Sequence, residues 1–85
     1  LAGLTNLETL WLDGNNISDI SSLVGLTTLQ GLDLGENNIS DISPLVENMG
    51  FSDGDFVNLN GNPLSTTSVN DYIPQLEARG VIVDY

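Results

Sequence analysis

One pattern, stated twice in full and once in part, fixes what this chain can become. Leu4, Leu7, Leu10, Leu12, Asn15, Ile17, Ile20 and Leu23 recur 22 residues later as Leu26, Leu29, Leu32, Leu34, Asn37, Ile39, Ile42 and Leu45. Every position keeps its chemical type, and chance does not hold eight positions in register, so the chain is an array of repeats. A third, partial copy follows in Val57, Leu59, Asn62 and Leu64, displaced by 25 residues from its counterparts, with three residues inserted between Leu45 and Val57.

The spacing inside a unit sets its local structure. Leu10 and Leu12 are two apart, the period of a strand, and point to one side. From Ile17 the apolar residues fall at 17, 20, 23, 26 and 29. Steps of three drift by about 60° each on an α-helix, so one helix would carry this stripe most of the way round its surface. Turns and short 3₁₀ pieces keep all five inward. Each unit therefore reads as a short strand, a sharp bend and a return path of turns. One unit cannot bury its own leucines; stacked units close them into a continuous core and align the strands as a parallel sheet. After each strand the inward bend leaves backbone amides and carbonyls buried. A side-chain amide both donates and accepts, so Asn15, Asn37 and Asn62 are expected to form a structural ladder that satisfies them.

Two stretches depart from the repeat. At Ser43 to Gly50, Ser43 suits a cap, Pro44 the first helical position and Gly50 the end, so one or two helical turns are expected over Pro44 to Met49, with Leu45, Val46 and Met49 inward. The loop Phe51-Ser52-Asp53-Gly54-Asp55 follows. After Leu64 the repeat stops. Ser65, Thr66 and Thr67 offer caps for a helix running to about Arg79, with Val69, Tyr72 or Ile73, and Leu76 as its apolar stripe. Pro74 should bend or divide it, Gly80 should end it, and Val81-Ile82-Val83 reads as a final edge strand. The division is thus residues 1–64, about three repeats, and residues 65–85, a helix–strand cap over the open end of the core.

Leu7-x-x-Leu10-x-Leu12-x-x-Asn15-x-Ile17 and its copy Leu29-x-x-Leu32-x-Leu34-x-x-Asn37-x-Ile39 resemble the leucine-rich repeat signature. The 22-residue length and the segment Ile39-Ser40-Asp41-Ile42-Ser43-Pro44-Leu45 are similar to the bacterial internalin-type subclass; regulatory subunits of eukaryotic protein phosphatases carry a similar 22-residue form. The resemblance spans about Leu1 to Leu64. It implies an α/β repeat fold: a right-handed solenoid with short parallel strands on a concave face, turns and 3₁₀ segments on the convex face, and a protein partner on the concave sheet. Internalins carry an N-terminal helical cap and an immunoglobulin-like domain after their repeats, and neither is recognisable in these residues. The segment Ser65 to Tyr85 is similar instead to those closing many uncharacterised, often secreted, bacterial repeat proteins. The resemblance alone favours an extracellular or cell-surface location.

Composition narrows the chemistry. Twelve acidic residues against one basic residue, Arg79, give a formal net charge of −11. A phosphate backbone needs Lys and Arg, so nucleic acid is not an expected partner, and anionic membrane surfaces are disfavoured alike. No apolar run reaches membrane-spanning length, so no membrane insertion is expected. There is no cysteine or histidine, which removes the usual nucleophile–base pairs, and there is no glycine-rich phosphate loop. An open sheet offers little to shift a carboxylate pair, so neither an enzyme nor a cofactor is expected. Asp53-Gly54-Asp55 supplies only fragments of a calcium loop and reads first as a solvated acidic turn. Asn16-Ile17-Ser18 and Asn38-Ile39-Ser40 match the glycosylation acceptor pattern, but they arise from the repeat itself and signify little. The chain starts inside a repeat, at Leu1-Ala2-Gly3-Leu4, and reads as the C-terminal piece of a longer array. Leu1, Leu4 and Leu7 then lie at an uncapped core end through which copies could self-associate.

Residues alternating with the buried leucines face the concave side. They are Thr9, Trp11 and Asp13 in the first unit, Gly31, Asp33 and Gly35 in the second, and Phe56, Asn58 and Asn60 in the third. Glu8, Gln30 and Asp55 flank them at the strand entries. Trp11 is the most informative, because burial does not explain an outward tryptophan and aromatics of this kind anchor interfaces. It reads either as such an anchor or as an incidental surface ring. Phe56 reads equally as a surface residue or as tucked under the neighbouring loop. The column Trp11, Asp33, Asn58 suits a peptide with a basic side chain, and also a sugar stacked on the indole. The leading expectation is a protein-binding module using Thr9, Trp11, Asp13, Asp33, Asn58 and Asn60; the alternatives are a purely structural closing segment and an acidic surface for carbohydrate or cations.

Overall fold

The computed structural model describes residues 8–85. Leu1, Leu4 and Leu7, and the core end expected there, lie outside the described residues. Among the described residues four three-residue strands form one parallel sheet in chain order: β1 (Thr9–Trp11), β2 (Gly31–Asp33), β3 (Phe56–Asn58) and β4 (Ile82–Asp84). Leu10, Leu32, Val57 and Val83 share one register position, as do Trp11, Asp33, Asn58 and Asp84. Backbone bonds carry the ladder beyond the strands, from Leu12 N–H to the Asp33 carbonyl and from Gly14 N–H to that of Gly35 (2.8 and 2.9 Å). This is the repeat made physical: each 22-residue or 25-residue step returns the backbone to the same place one strand along.

The core lies behind the sheet. Ile20, Leu23, Leu26 and Leu29 are all buried, and Ile17 packs against them half-buried. A 3₁₀ segment, Ser21–Gly25, carries the middle of this stripe inward, as three-residue spacing requires. In the second unit the equivalent turn widens into a short helix, α1 (Ser43–Glu47). Each apolar side chain so buried contributes about 1.5–3 kcal/mol, shared between adjacent units.

The asparagines stitch unit to unit. Asn37 Nδ2 donates to the Leu34 carbonyl of its own unit and to the Leu12 carbonyl of the preceding one (both 3.0 Å), while its Oδ1 accepts from Ile17 N–H (3.0 Å). Asn62 repeats the arrangement with Leu59, Leu34 and Ile39. Asn15 is exposed and, among the described residues, bonds within its own unit, to the Leu12 and Asp13 carbonyls.

The stretch after α1 differs from expectation. The helix ends at Glu47, and Met49 is 81% exposed rather than inward. Asn48 turns in instead: its Nδ2 donates to the Leu23 and Leu26 carbonyls (2.9 and 3.1 Å) and its Oδ1 accepts from Gly50 N–H. These bonds satisfy the turn of the unit before, so a buried amide displaces the methionine the helical stripe called for. Ser43 gives α1 no side-chain cap; Asp41 Oδ1 accepts from Ser43 N–H (2.9 Å), as Asp19 does from Ser21 ahead of the 3₁₀ segment. Gly50 is needed for space, since a Cβ there would stand 1.9 Å from the Thr27 carbonyl oxygen. Phe51 fills the core beside it. Asp55 is buried rather than solvated; its Oδ2 accepts from Ser52 N–H and closes the loop (2.9 Å).

The last segment packs against the preceding unit. Ser65 Oγ accepts from Ser68 N–H (3.1 Å), the bond of an N-cap. The helix then carries one wide turn, Ser68–Tyr72, in which Ile73 N–H reaches back five residues to the Ser68 carbonyl, and continues as α2 (Ile73–Ala78). Pro74 is the cause: it has no N–H to donate, and its ring would strike the carbonyl four residues back, so the turn before it opens. Buried Ser68 donates from Oγ to the Ser40 carbonyl (2.7 Å) and accepts from Ile42 N–H. Gly80, at φ +88°, ends the helix, and Ile73, Leu76 and Val81 enter the core. The strand expected at Val81 runs one residue later, Ile82–Asp84. Arg79, the lone basic residue, donates to the Val46 and Asn48 carbonyls at the C-terminal end of α1, where a cation is favourable. Among the described residues no buried side-chain nitrogen or oxygen lacks a hydrogen-bond partner.

Candidate functional site

Alternation along each strand turns two rows of side chains away from the core. One row is Thr9, Gly31, Phe56 and Ile82; the next is Trp11, Asp33, Asn58 and Asp84. Trp11 stands 69% exposed, Ile82 58% and Phe56 38%. Phe56 therefore takes the surface position, and the aromatic that fills the core is Phe51. Thr9, Asp13 and Asn60 are exposed, and Asp33 and Asn58 half-buried. Ile82 and Asp84 were not among the residues singled out from sequence. Their signal was the alternation in Val81-Ile82-Val83, which continues the register of Phe56-Val57-Asn58 onto a fourth strand.

Exposure alone does not tell which polar atoms are available. Asp33 Oδ1 accepts from Gly35 N–H (3.0 Å) and from Asn58 Nδ2 (3.1 Å). Asn58 Oδ1 accepts from Asn60 N–H (2.9 Å). Both side chains thus hold the bend at the end of their strand, and Asn58 keeps a single Nδ2 hydrogen for anything else. Gly35 is buried beneath this pair, where a Cβ would lie 3.2 Å from both Asn58 Nδ2 and Asp33 Oδ1. Asp33 Oδ2, the Asp84 carboxylate and the Trp11 ring have no hydrogen-bond partner among the described residues. Asp55, at the entry to β3, is engaged in its own loop as described above.

The electrostatics are one-signed. Glu8, Asp13, Asp33, Glu36 and Asp84 lie on this face or its rim, and Arg79 is occupied on the other side of the core. Asp19, on the turn side, has its carboxyl held below the ordinary value of 3.8 by the Ser21 backbone and side chain, which both favour its charged form. Among the described residues no group of three or more acidic side chains could hold a metal ion, and no helix is long and apolar enough to cross a membrane.

A stack of short parallel strands backed by turns, with an asparagine ladder at each bend, defines a repeat solenoid. The chain belongs to the leucine-rich repeat family, whose two-copy model, "Leucine Rich repeats (2 copies)", matches residues 5–47. Repeats of this family generally mediate protein–protein interaction. Among solved structures the chain is similar to internalin C2 of Listeria monocytogenes, at a TM-score of 0.65 and 32% identity. That alignment covers 96% of this chain and 43% of the internalin, so the chain spans less than half that protein's length. No curated protein matches the chain.

Proposed function

We propose that the outer face of the sheet binds a protein partner, with Trp11 as its anchor. The observation that carries this is the position of Trp11, 69% exposed in a row whose other members are polar. A large ring held on a rigid strand gives contact area at little cost in conformational entropy, which is why tryptophan dominates interface hot spots. Thr9 and Asp13 flank it on its own strand, Asp33 stands beside it on β2, and Asn58 and Asn60 carry the polar rim on to β3. Residues 65–85 serve as the closing cap: their helix buries Ile73 and Leu76 against the last unit, and their strand β4 adds Ile82 and Asp84 to the face.

The test is a paired capture. Wild-type protein and Trp11→Ala, matched for urea-unfolding midpoint, are exposed to the same extract, and a protein retained by the wild type alone is purified and its Kd measured against both. The expected outcome is a Kd at least tenfold weaker for Trp11→Ala, about 1.4 kcal/mol or more. Equal affinity for the two would remove Trp11, and this face with it, from the binding site.

A further inference from the structure

Gly31 leaves an open notch in the outer face. It lies on β2 between Thr9 on β1 and Phe56 on β3. Among the described residues a methyl group placed on it would touch the Thr9 side chain alone, at 3.7 Å from Cγ2 and 3.9 Å from Oγ1. A Cβ therefore has room at Gly31, whereas above Gly35, four residues on, that room is taken by Asp33 and Asn58.

One residue row away stand Trp11 and Asp33, paired in register on adjacent strands. The two donors on Asp33 Oδ1 fix that carboxylate in place and leave Oδ2 as its unengaged oxygen. A held carboxylate beside an exposed indole, next to an empty slot, is the arrangement a cation with an aliphatic stem would fill. The chain cannot supply that cation: its single basic residue, Arg79, is bound to the carbonyls of Val46 and Asn48. Glu8 and Asp13 extend the negative field to either end of β1.

We propose that this notch receives the lysine or arginine side chain of a basic segment in the protein partner. The stem lies over Gly31 between Thr9 and Phe56, and the charged head meets Asp33 Oδ2 and the Trp11 ring. The assignment rests on the reading of the outer face as the binding surface and names the side chain that face selects.

The probes are three blocked tripeptides, acetyl-Gly-Lys-Gly-amide, acetyl-Gly-Arg-Gly-amide and acetyl-Gly-Gln-Gly-amide, titrated into the full ¹⁵N-labelled chain. With one tryptophan in the sequence, one indole N–H resonance reports on Trp11. Shifts at that resonance and at the Gly31 and Asp33 amides are expected with the lysine or the arginine peptide and not with the glutamine peptide. Which of the two binds more tightly tells whether an ammonium or a guanidinium is the natural head. Gly31→Val should fill the notch without unfolding the sheet and weaken binding about fivefold or more, as should Asp33→Asn, which keeps Oδ1 for Gly35 and Asn58. Glu77→Gln, which removes the same charge from exposed α2, should leave binding unchanged. A glutamine peptide that binds as well as the cationic ones would overturn the proposal, as would a loss with Glu77→Gln matching that with Asp33→Asn. If neither cationic peptide binds while Trp11→Ala still loses the captured partner, the binding face stands and the notch assignment falls. If Trp11→Ala leaves that partner's Kd unchanged, both fall.

Discussion

Replacing Asn15 by alanine should be nearly silent in the wild type and costly once Asn37 has gone, because the two side chains share one acceptor. The Leu12 carbonyl accepts from Asn15 Nδ2 (2.9 Å) and from Asn37 Nδ2 (3.0 Å). Asn15→Ala leaves the second of these in place, and the Asp13 carbonyl it also releases is open to water, so the cost should be no more than about 0.5 kcal/mol. Asn37→Ala is different. The Leu34 carbonyl keeps Asn62 (2.8 Å), the Gly35 carbonyl keeps Gly14 N–H, and the Leu12 carbonyl keeps Asn15. Ile17 N–H loses its partner Oδ1. One orphaned donor and a small cavity together come to about 2–4 kcal/mol. In the double variant the Leu12 carbonyl also loses both partners, which adds about 1 kcal/mol beyond the sum of the two single changes. Urea unfolding followed by far-ultraviolet circular dichroism, with equal slopes across the four proteins, measures all three quantities. Additivity within about 0.3 kcal/mol would refute the shared-acceptor account, and so would an Asn15→Ala cost equal to that of Asn37→Ala.

Glu36 holds the left-handed position, φ +57°, that glycine holds at Gly14 and Gly61 in the neighbouring units. Glu36→Gly is expected to raise stability by about 0.5–1 kcal/mol, read as a higher melting temperature, and a lower one would show that the Glu36 side chain outweighs the backbone strain. Arg79→Gln withdraws a charge-assisted donor pair from the end of α1 and should cost about 1.5–3 kcal/mol in urea unfolding; a change below about 0.5 kcal/mol would make those bonds incidental. For Asp19 the folded carboxyl titrates below its unfolded value, so its contribution is complete above the ordinary 3.8 and is lost as pH falls through the folded pKa. Carbon-13 titration of the Asp19 carboxyl should give a midpoint below 3.8 in the wild type and an upward move in Ser21→Pro, which lacks both the backbone and the side-chain donor; an unmoved midpoint would count against the Ser21 bonds as the cause.

Much of the fold was legible because its rules act at fixed sequence distance. Three-residue spacing from Ile17 to Leu29 excluded one α-helix, and the chain answers with a 3₁₀ turn. Asn48 and Gly50 were not legible for the same reason in reverse. Their partners are the Leu23 and Leu26 carbonyls and the Thr27 backbone, more than twenty residues upstream. Nothing near Asn48 in sequence marks it as buried, while the local stripe argued for Met49. Pro74 could be read as a break in the last helix; that the break would be one widened turn depended on what lay against it, including the Ser40 carbonyl and the Ile42 amide that hold Ser68.

The candidate face shows the same division at finer grain. Strand alternation puts Trp11, Asp33 and Asn58 in one row, and that much is a property of the backbone. Whether a side chain in the row can serve a ligand depends on its individual atoms. Asn58 uses its oxygen on Asn60 and a hydrogen on Asp33, so it acts mainly to hold its neighbour. Asp33 is anchored by one oxygen and presents the other. Among the described residues nothing hydrogen-bonds the Trp11 ring, which is 69% exposed. A row in which sequence singles out only Trp11 therefore resolves into an anchor, a fixed acceptor and a support. The two residues with something left to offer stand beside Gly31, the position on β2 where a side chain is missing and could fit.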